Sequence, residues 1–222
     1  MKILHRRKIM LDQITAEIII KETVKKSIIS YTKKQKNKKR KFQVLDLIIP
    51  KEREIRSIVG GLETSLGKTL WEPLAKSLAS KNGFEVIESD LKCPNNMPSR
   101  LNNTLQNIIE DRISDNPTYD ATQSHDELKK VCQYFINNPI DSFTKAPRGF
   151  GVDICLKKDS VNYFFDTKTV QPNIGRLTTC MKQILNWYSY FYSKEPEGTA
   201  YARIVFPYNP YQSANFWDKV IG

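Results

Sequence analysis

Residues 151–169 read GVDICLKKDSVNYFFDTKT, and this stretch predicts a β-hairpin. Side chains alternate in character on both sides of the polar pair Asp159-Ser160, which is the period of a strand. A two-residue turn at that pair places Asp153 directly opposite Asp166. Side chains two positions apart on a strand share a face, so we expect Asp166 and Lys168 to point the same way.

The two facing aspartates indicate a cation. Like charges directly opposite each other destabilise a bare sheet, so a metal ion between them is the natural explanation. Two carboxylates that hold a divalent metal beside a lysine form a site suited to phosphodiester hydrolysis. The alternative is an edge hairpin with solvated charges. An acidic residue, any residue and a lysine also occur at Asp90 and Glu127, but only the copy at Asp166 has strand periodicity on both sides and a facing aspartate.

Composition narrows the function classes. A chain of 222 residues suits one α/β domain, or one domain with an extension. Its four cysteines form no CxxC pair, which argues against a zinc site or a disulfide framework and fits a reducing cytoplasm. No segment is long enough to span a membrane, and the charged start does not resemble a signal peptide. With two histidines, histidine-based catalysis is a poor match.

The positive charge is concentrated at the N-terminus. Residues 1–50 contain 14 Lys or Arg against 4 Asp or Glu, so they hold most of the net charge of +11. A cluster at residues 33–41 includes Lys38, Lys39 and Arg40, and such a cluster attracts polyanions through counterion release. A solvated, lysine-rich linker explains the same composition equally well.

Periodicity predicts the order of the elements. Apolar spacing predicts helices over residues 11–32, 52–80, 100–113, 125–137 and 176–193, and strands over residues 84–89 and 199–207 in addition to the hairpin. Glycines 60 and 61 and Pro73 interrupt the second helix, so we expect a kink or two shorter helices. Residues 42–50 are expected to form a short strand or a buried helical turn, and residues 93–100 a loop. From residue 52 onward, this order predicts a mixed sheet with helices on both faces.

That order, with the acidic hairpin in its middle, resembles the α-β-β-β-α-β core of the PD-(D/E)xK nucleases. Asp153 matches the first acidic position, Asp166 the second, and Lys168 the lysine. No proline immediately precedes Asp153, which departs from the family pattern. The resemblance implies an α/β, restriction-endonuclease-like fold: a mixed sheet flanked by helices over residues 51–222, preceded by a basic, helical extension over residues 1–50.

Three phrases are similar to the TdeIII-like group of type II restriction endonucleases: the Gly-Val-Asp-Ile run at 151–154, FDTKTVQPN at 165–173, and GGLETSLGKTLWEPLAKSLA at 60–79. This resemblance implies Mg²⁺-dependent hydrolysis of double-stranded DNA at a short palindromic, GGNCC-like site. It further implies 5′-phosphate and 3′-hydroxyl ends, a homodimer, a cytoplasmic location and no organic cofactor.

The same resemblance assigns roles to the candidate residues. Asp153, Asp166 and the carbonyl of Thr167 would bind Mg²⁺, and Lys168 would orient the attacking water and offset charge on the phosphate. A glutamate from the first helix would complete the site, and the candidates are Glu63 and Glu72. On a straight helix these two face opposite ways, so both cannot reach one metal. We favour Glu72, because it ends a Gly-x-x-x-x-Glu pattern that begins at Gly67.

Further residues are candidates for contacts with DNA. Arg148 could meet a phosphate, and Gln171 and Asn173 could touch the backbone or a base edge, although a turn satisfied by its own side chains accounts for these two as well. The aromatic run at 187–192 favours core or dimer packing over base stacking. Two other functions stay open from the sequence: a repair or recombination nuclease of the same fold, and a non-catalytic protein that binds DNA through its basic N-terminus.

Overall fold

The computed structural model describes residues 11–36, 42–114, 120–169 and 174–207. Its helices are α1 (Gln13–Lys36), α2 (Pro50–Leu66), α3 (Glu72–Lys81), α4 (Ser99–Ile113), α5 (Ala121–Cys132) and α6 (Ile174–Lys194). Its strands are β1 (Glu85–Ile87), β2 (Lys92–Pro94), β3 (Phe143–Lys145), β4 (Ile154–Lys158), β5 (Val161–Thr167) and β6 (Thr199–Val205). Short 3₁₀ turns lie at Val44–Leu47 and Gln133–Ile136, and a π-helical turn at Gly67–Trp71.

Four strands form a mixed sheet in the order β1-β4-β5-β6. β1 and β4 are antiparallel, and so are β4 and β5, while α6 connects β5 to β6. The elements α3, β1, β4, β5, α6 and β6 therefore follow the predicted α-β-β-β-α-β order, with β2, α4, α5 and β3 inserted between β1 and β4. The predicted fold class, an α/β restriction-endonuclease-like core, is confirmed.

Contacts between Cα atoms divide the chain into two compact units. The first takes in the described residues up to Phe84, with short pieces that begin at Thr167 and Phe206. The second takes in Glu85–Asp166 and, after the short piece that begins at Thr167, the described residues up to Val205. The sequence predicts a different kind of boundary, after residue 50, where the nuclease domain is expected to begin. That domain boundary stays a prediction.

The first unit is helical. α1 packs against α2, the π turn and α3, and the hydroxyl of Tyr31 on α1 donates a hydrogen bond to the carbonyl of Ile58 on α2. The two shorter helices that were predicted as one possibility are present as α2 and α3. Helix α2 runs without interruption through Gly60 and Gly61, so the two helices do not divide there. A Cβ on Gly61 would lie 2.9 Å from the hydroxyl oxygen of Tyr31, which shows that this glycine allows a close approach of two helices. The irregularity comes later, at the π turn that precedes Pro73.

Residues 42–50 differ from the prediction in their burial. They contain a 3₁₀ turn and the start of α2, so the helical alternative is confirmed. The turn is exposed, however: Phe42, Val44 and Leu47 are each at least 70% accessible. Apolar composition alone predicted burial, but no described element covers these side chains.

The second unit holds the main core. Helices α4, α5 and α6 pack against one another, and α6 also packs on β6. The helix predicted to carry aromatic core residues does so: Trp187, Tyr190, Phe191 and Tyr192 are all buried. The four cysteines are buried and form no disulfide, and Cys132 lies within this core.

Strands β2 and β3 were not predicted. Lys92–Pro94 pairs with Phe143–Lys145 in a separate two-stranded sheet, which replaces the beginning of the predicted loop at 93–100. Cys93 and Ala146 pack there against Tyr190 of α6. In the parts of the chain described above, no helix combines the length and the apolar character needed to cross a membrane.

Candidate active site at the β4–β5 hairpin

The hairpin has the predicted register. Ile154 pairs with Phe165 and Leu156 with Tyr163, around a two-residue turn at Asp159 and Ser160. Both turn residues have positive φ, 50° and 66°, as expected for the tight turn that matches the twist of paired strands. Asp153 lies one residue before β4, and the register continued by one position brings it opposite Asp166.

Asp166 is the buried member of the pair. It is only 2% exposed, at the end of β5, and it shares a strand face with Phe164. That face lies against α6, because the Phe164 ring packs edge-on against Phe191 with 5.6 Å between ring centroids. Alternation along the strand therefore directs the carboxylate of Asp166 into the layer between the sheet and α6. Asp153 is half-buried.

Two side chains of α6 contact this region. The amide nitrogen Nε2 of Gln183 donates to Oδ2 of Asp166 at 3.0 Å and to the carbonyl of Gly151 at 3.2 Å. One turn further along, Nε1 of Trp187 donates to the carbonyl of Phe150 at 2.9 Å. Residues four apart share a helix face, so the same face of α6 holds both acidic segments.

The loop before Asp153 begins with a tight turn. The amide of Phe150 donates to the carbonyl of Pro147 at 3.0 Å, and Gly149 sits at the third position with φ of 92°. This is the pattern of a type II turn, in which the third position needs the positive φ that glycine adopts without strain. Arg148 is the second residue of the turn, and its side chain is exposed, as contact with a phosphate would require.

Thr167 and Lys168 follow Asp166 directly. Thr167 is the last residue of β5, and its buried hydroxyl has no hydrogen-bond partner in the described chain. Lys168 lies one position beyond the strand and is half-buried. Both residues belong to the first compact unit, whereas Asp153 and Asp166 belong to the second.

The two candidate glutamates lie on different helices of the first unit. Glu63 is exposed on α2, whereas Glu72 is half-buried and is the first residue of α3. The π turn at Gly67–Trp71 separates them, and its wider i→i+5 turn changes the phase expected for a straight helix. A Cβ on Gly67 would meet nothing within 4 Å, so no group among the described residues explains a glycine there.

Five of the candidate DNA contacts lie outside the described residues. These are Gln171 and Asn173 after the hairpin, and Lys38, Lys39 and Arg40 of the basic cluster. They stay predictions.

The donor set around the hairpin fits Mg²⁺. Asp153 and Asp166 offer carboxylate oxygens and Thr167 a carbonyl oxygen, and Mg²⁺ prefers oxygen ligands while it retains several waters. Within the described ranges, no cluster of three or more His, Cys, Asp or Glu side chains could hold a metal. A site with two carboxylates is consistent with that finding, because Mg²⁺ is commonly bound through one or two carboxylates plus substrate phosphates.

Gln183 is the residue that sequence reasoning missed. It is 6% exposed on a helix whose neighbouring positions Ile184, Leu185 and Trp187 are apolar. The sequence offers one signal for Gln183, a single amide side chain within an apolar run of a helix. Such an amide is expected to be buried, and a buried polar group requires a hydrogen-bond partner. Its partner, however, lies on another element, so the pairing itself could not be read from the local sequence.

A four-stranded mixed sheet with an acidic hairpin, in a chain whose elements follow the α-β-β-β-α-β order, defines a restriction-endonuclease-like protein. Residues 12–221 match the family model described as type II restriction endonuclease, HinfI. The chain therefore belongs to the HinfI family of type II restriction endonucleases. The expected restriction-endonuclease identity is confirmed, although the matched family is HinfI and not the TdeIII-like group. Neither the curated proteins nor the solved structures contain a match to this chain.

Proposed function

We propose that this protein is a Mg²⁺-dependent type II site-specific deoxyribonuclease of the PD-(D/E)xK type. The single observation that carries the proposal is the buried carboxylate of Asp166 at the end of β5, with Asp153 opposite it in the register. Burial of a carboxylate is costly unless charge or hydrogen bonds compensate for it, and Gln183 supplies one such hydrogen bond to Asp166. A bound divalent cation compensates for both aspartates at once.

The residues act as follows in the proposed reaction. When bound, Mg²⁺ lowers the pKa of a water and polarises the scissile phosphate. Asp153, Asp166 and the carbonyl of Thr167 would hold the ion. Lys168 orients the attacking water and offsets charge that develops on the phosphate, since its flexible ammonium is a point charge suited to a phosphate oxygen. Glu72 completes the site in preference to Glu63, because it is the half-buried glutamate of the two.

The substrate is double-stranded DNA with a short palindromic site, and the products carry 5′-phosphate and 3′-hydroxyl ends. A symmetric DNA site is read by two symmetric half-site contacts, so the active form is a homodimer in the cytoplasm. The resemblance to the TdeIII-like group makes GGNCC-like sites the first to be tried, whereas the family match to HinfI does not name a sequence. Arg148, Gln171, Asn173 and the basic cluster with Lys38, Lys39 and Arg40 supply contacts to the DNA.

Digestion of a plasmid with and without Mg²⁺ tests the reaction. Discrete bands that require Mg²⁺ are expected, and sequencing of their ends gives the site and the end chemistry. A smear, or preferential cutting of branched DNA, would favour a repair or recombination nuclease. Binding without any cleavage would favour a non-catalytic DNA-binding protein.

Two variants and a control test the site itself. Asp166→Ala and Lys168→Ala are expected to lose cleavage and to retain DNA binding. Lys157→Ala changes another half-buried lysine of the same hairpin, which pairs across the strands with Asn162, and is expected to cut normally. Cleavage by Asp166→Ala would remove Asp166 from the proposed site.

A further inference from the structure

Gln183 holds two parts of the chain that are far apart in sequence. Its Nε2 atom lies 3.0 Å from Oδ2 of Asp166 and 3.2 Å from the carbonyl oxygen of Gly151. Both partners only accept hydrogen bonds, so the NH₂ group of the amide must face them. That group has two hydrogens, one for each acceptor, and both bonds therefore form together.

The second acceptor matters because of its place in the chain. Gly151 lies two residues before Asp153, in a loop that is tied again at Phe150 by the indole of Trp187. Trp187 is fully buried and Gln183 is 6% exposed, so the surrounding protein restricts the motion of both side chains. Helix α6 thereby sets the position of the backbone just ahead of the first aspartate.

The first acceptor matters because of the geometry of a carboxylate. Asp166 has one side-chain torsion that rotates its two oxygens, and a hydrogen bond to Oδ2 selects one orientation. The direction of Oδ1 is then also determined. A charge-assisted hydrogen bond of this kind is stronger than a neutral one, and it lies where solvent does not compete.

We propose that Gln183 is the positioning residue of the acidic site, one amide that orients Asp166 and at the same time holds the segment carrying Asp153. This inference rests on the proposed function, because it concerns the two aspartates that bind the divalent cation there. Gln183 does not touch the reacting atoms. It acts through the two ligands, in the way that groups behind metal ligands set the affinity of a site.

The test compares two variants with a control from the same helix. Gln183→Met keeps the length of the side chain and removes both donors. Gln183→Asn keeps an amide but is one methylene shorter, so it cannot reach both acceptors. If the methionine variant does not fold, the asparagine variant tests the positioning role in its place. Ser189→Ala is the control, since Ser189 is buried on α6 and its hydroxyl donates only to the Leu185 carbonyl of the same helix.

Two measurements separate positioning from a structural role. The first is the rise in melting temperature that Mg²⁺ produces over EDTA, which needs no cleavage. The second is the Mg²⁺ concentration for half-maximal cleavage. Loss of a group behind a metal ligand costs about 10–100-fold in affinity, so we expect the Gln183 variants to need that much more Mg²⁺. At saturating Mg²⁺ most of the cleavage rate should return, and Ser189→Ala should match the wild type in both measurements.

The outcomes are distinguishable from failure of the proposed function. If the wild-type protein neither cleaves DNA nor is stabilised by Mg²⁺, the proposed function fails. If the wild type does both and a folded Gln183 variant has the wild-type Mg²⁺ requirement, the positioning role is wrong while the nuclease assignment stands. An equal shift in Ser189→Ala would also overturn the inference, because it would indicate general loosening of α6.

Discussion

Ile154 on β4 stands opposite Phe165 on β5, and this pair determines how the two aspartates are arranged. Asp153 precedes Ile154 and Asp166 follows Phe165, so the same register that pairs the apolar residues brings the acidic residues to opposite positions. A slip of one residue would turn the carboxylate of Asp166 to the other face of the sheet. The tight turn at Asp159 and Ser160 prevents such a slip.

The register predicts that substitution of an aspartate at the open end of the hairpin impairs cleavage, whereas substitution of the aspartate in its turn does not. Asp153→Asn is expected to reduce cleavage by about 10³-fold or more, equivalent to ~4 kcal/mol in the barrier, because it removes the charge of a proposed metal ligand. Asp159→Asn is the matched control, since Asp159 is exposed and asparagine also tolerates positive φ. Cleavage rates at fixed Mg²⁺ measure both. An equal loss in the two variants would contradict the assignment.

The two candidate glutamates are separated by a similar comparison. Glu72→Gln is expected to lower the cleavage rate by about 100-fold, a size typical of a group that supports a metal site. Glu63→Gln keeps near-wild-type activity, because Glu63 is exposed on α2. Single-turnover cleavage with excess enzyme measures the step without product release. The reverse ranking would transfer the role to Glu63.

The turn of the hairpin carries strain that glycine would relieve. Ser160 has φ of 66°, a left-handed conformation that costs an ordinary L-residue roughly 1–2 kcal/mol. Ser160→Gly is therefore expected to raise the free energy of unfolding by about 1 kcal/mol, less the entropy that glycine adds to the unfolded chain. Ser160→Ala retains the Cβ and should bring no gain. Urea denaturation of the three proteins checks this, and a glycine variant no more stable than the alanine variant would refute it.

Adjacent glycines in α2 are expected to respond in opposite ways. A Cβ at Gly60 meets nothing within 4 Å, so Gly60→Ala should stabilise the protein by about 0.5–1 kcal/mol through helix propensity. A Cβ at Gly61 comes within 2.9 Å of the Tyr31 hydroxyl oxygen, so Gly61→Ala should destabilise it. Thermal unfolding measures both. In a Tyr31→Phe background the cost of Gly61→Ala should shrink; an undiminished cost would show that the clash is elsewhere.

Helix α6 is expected to make the protein sensitive to alkali. Burial raises the pKa of Tyr190 and of Tyr192 to about 12, above the ordinary value of 10.0. The folded state therefore keeps these protons when the unfolded chain begins to lose them, and stability present below pH 10 falls as the pH rises from 10 toward 12. Denaturant unfolding at pH 8 and pH 11 measures the loss.

The alkaline loss has its own control. Tyr190→Phe should lose less stability than the wild type over this interval, because it removes one of the buried phenols. Tyr134→Phe changes an exposed tyrosine and should lose as much stability as the wild type. A steep alkaline loss that is identical in wild type and Tyr190→Phe would exclude Tyr190 as a source.

Local patterns explain why the hairpin that carries the candidate site could be predicted. The strands of the hairpin, its turn and its register all follow from side-chain alternation within one continuous stretch, and the structure has the same register. Helix α6 was likewise predicted from its apolar spacing. Strands β2 and β3 were not, because Cys93 pairs with Thr144 across a long intervening segment and neither strand is long enough to show a period. Gly60-Gly61 suggested a break, but packing of α1 on α2 overrides weak local propensity.

The sequence by itself determined the α/β element order, the acidic hairpin and the opposition of Asp153 and Asp166, because each depends on neighbours along the chain. Only the tertiary structure decided that Asp166 is buried and that Gln183 binds it together with Gly151. The reason is physical: burial and hydrogen-bond partners depend on which face of α6 packs against the sheet. That contact joins residues far apart in the chain, and neither local sequence predicts the other partner.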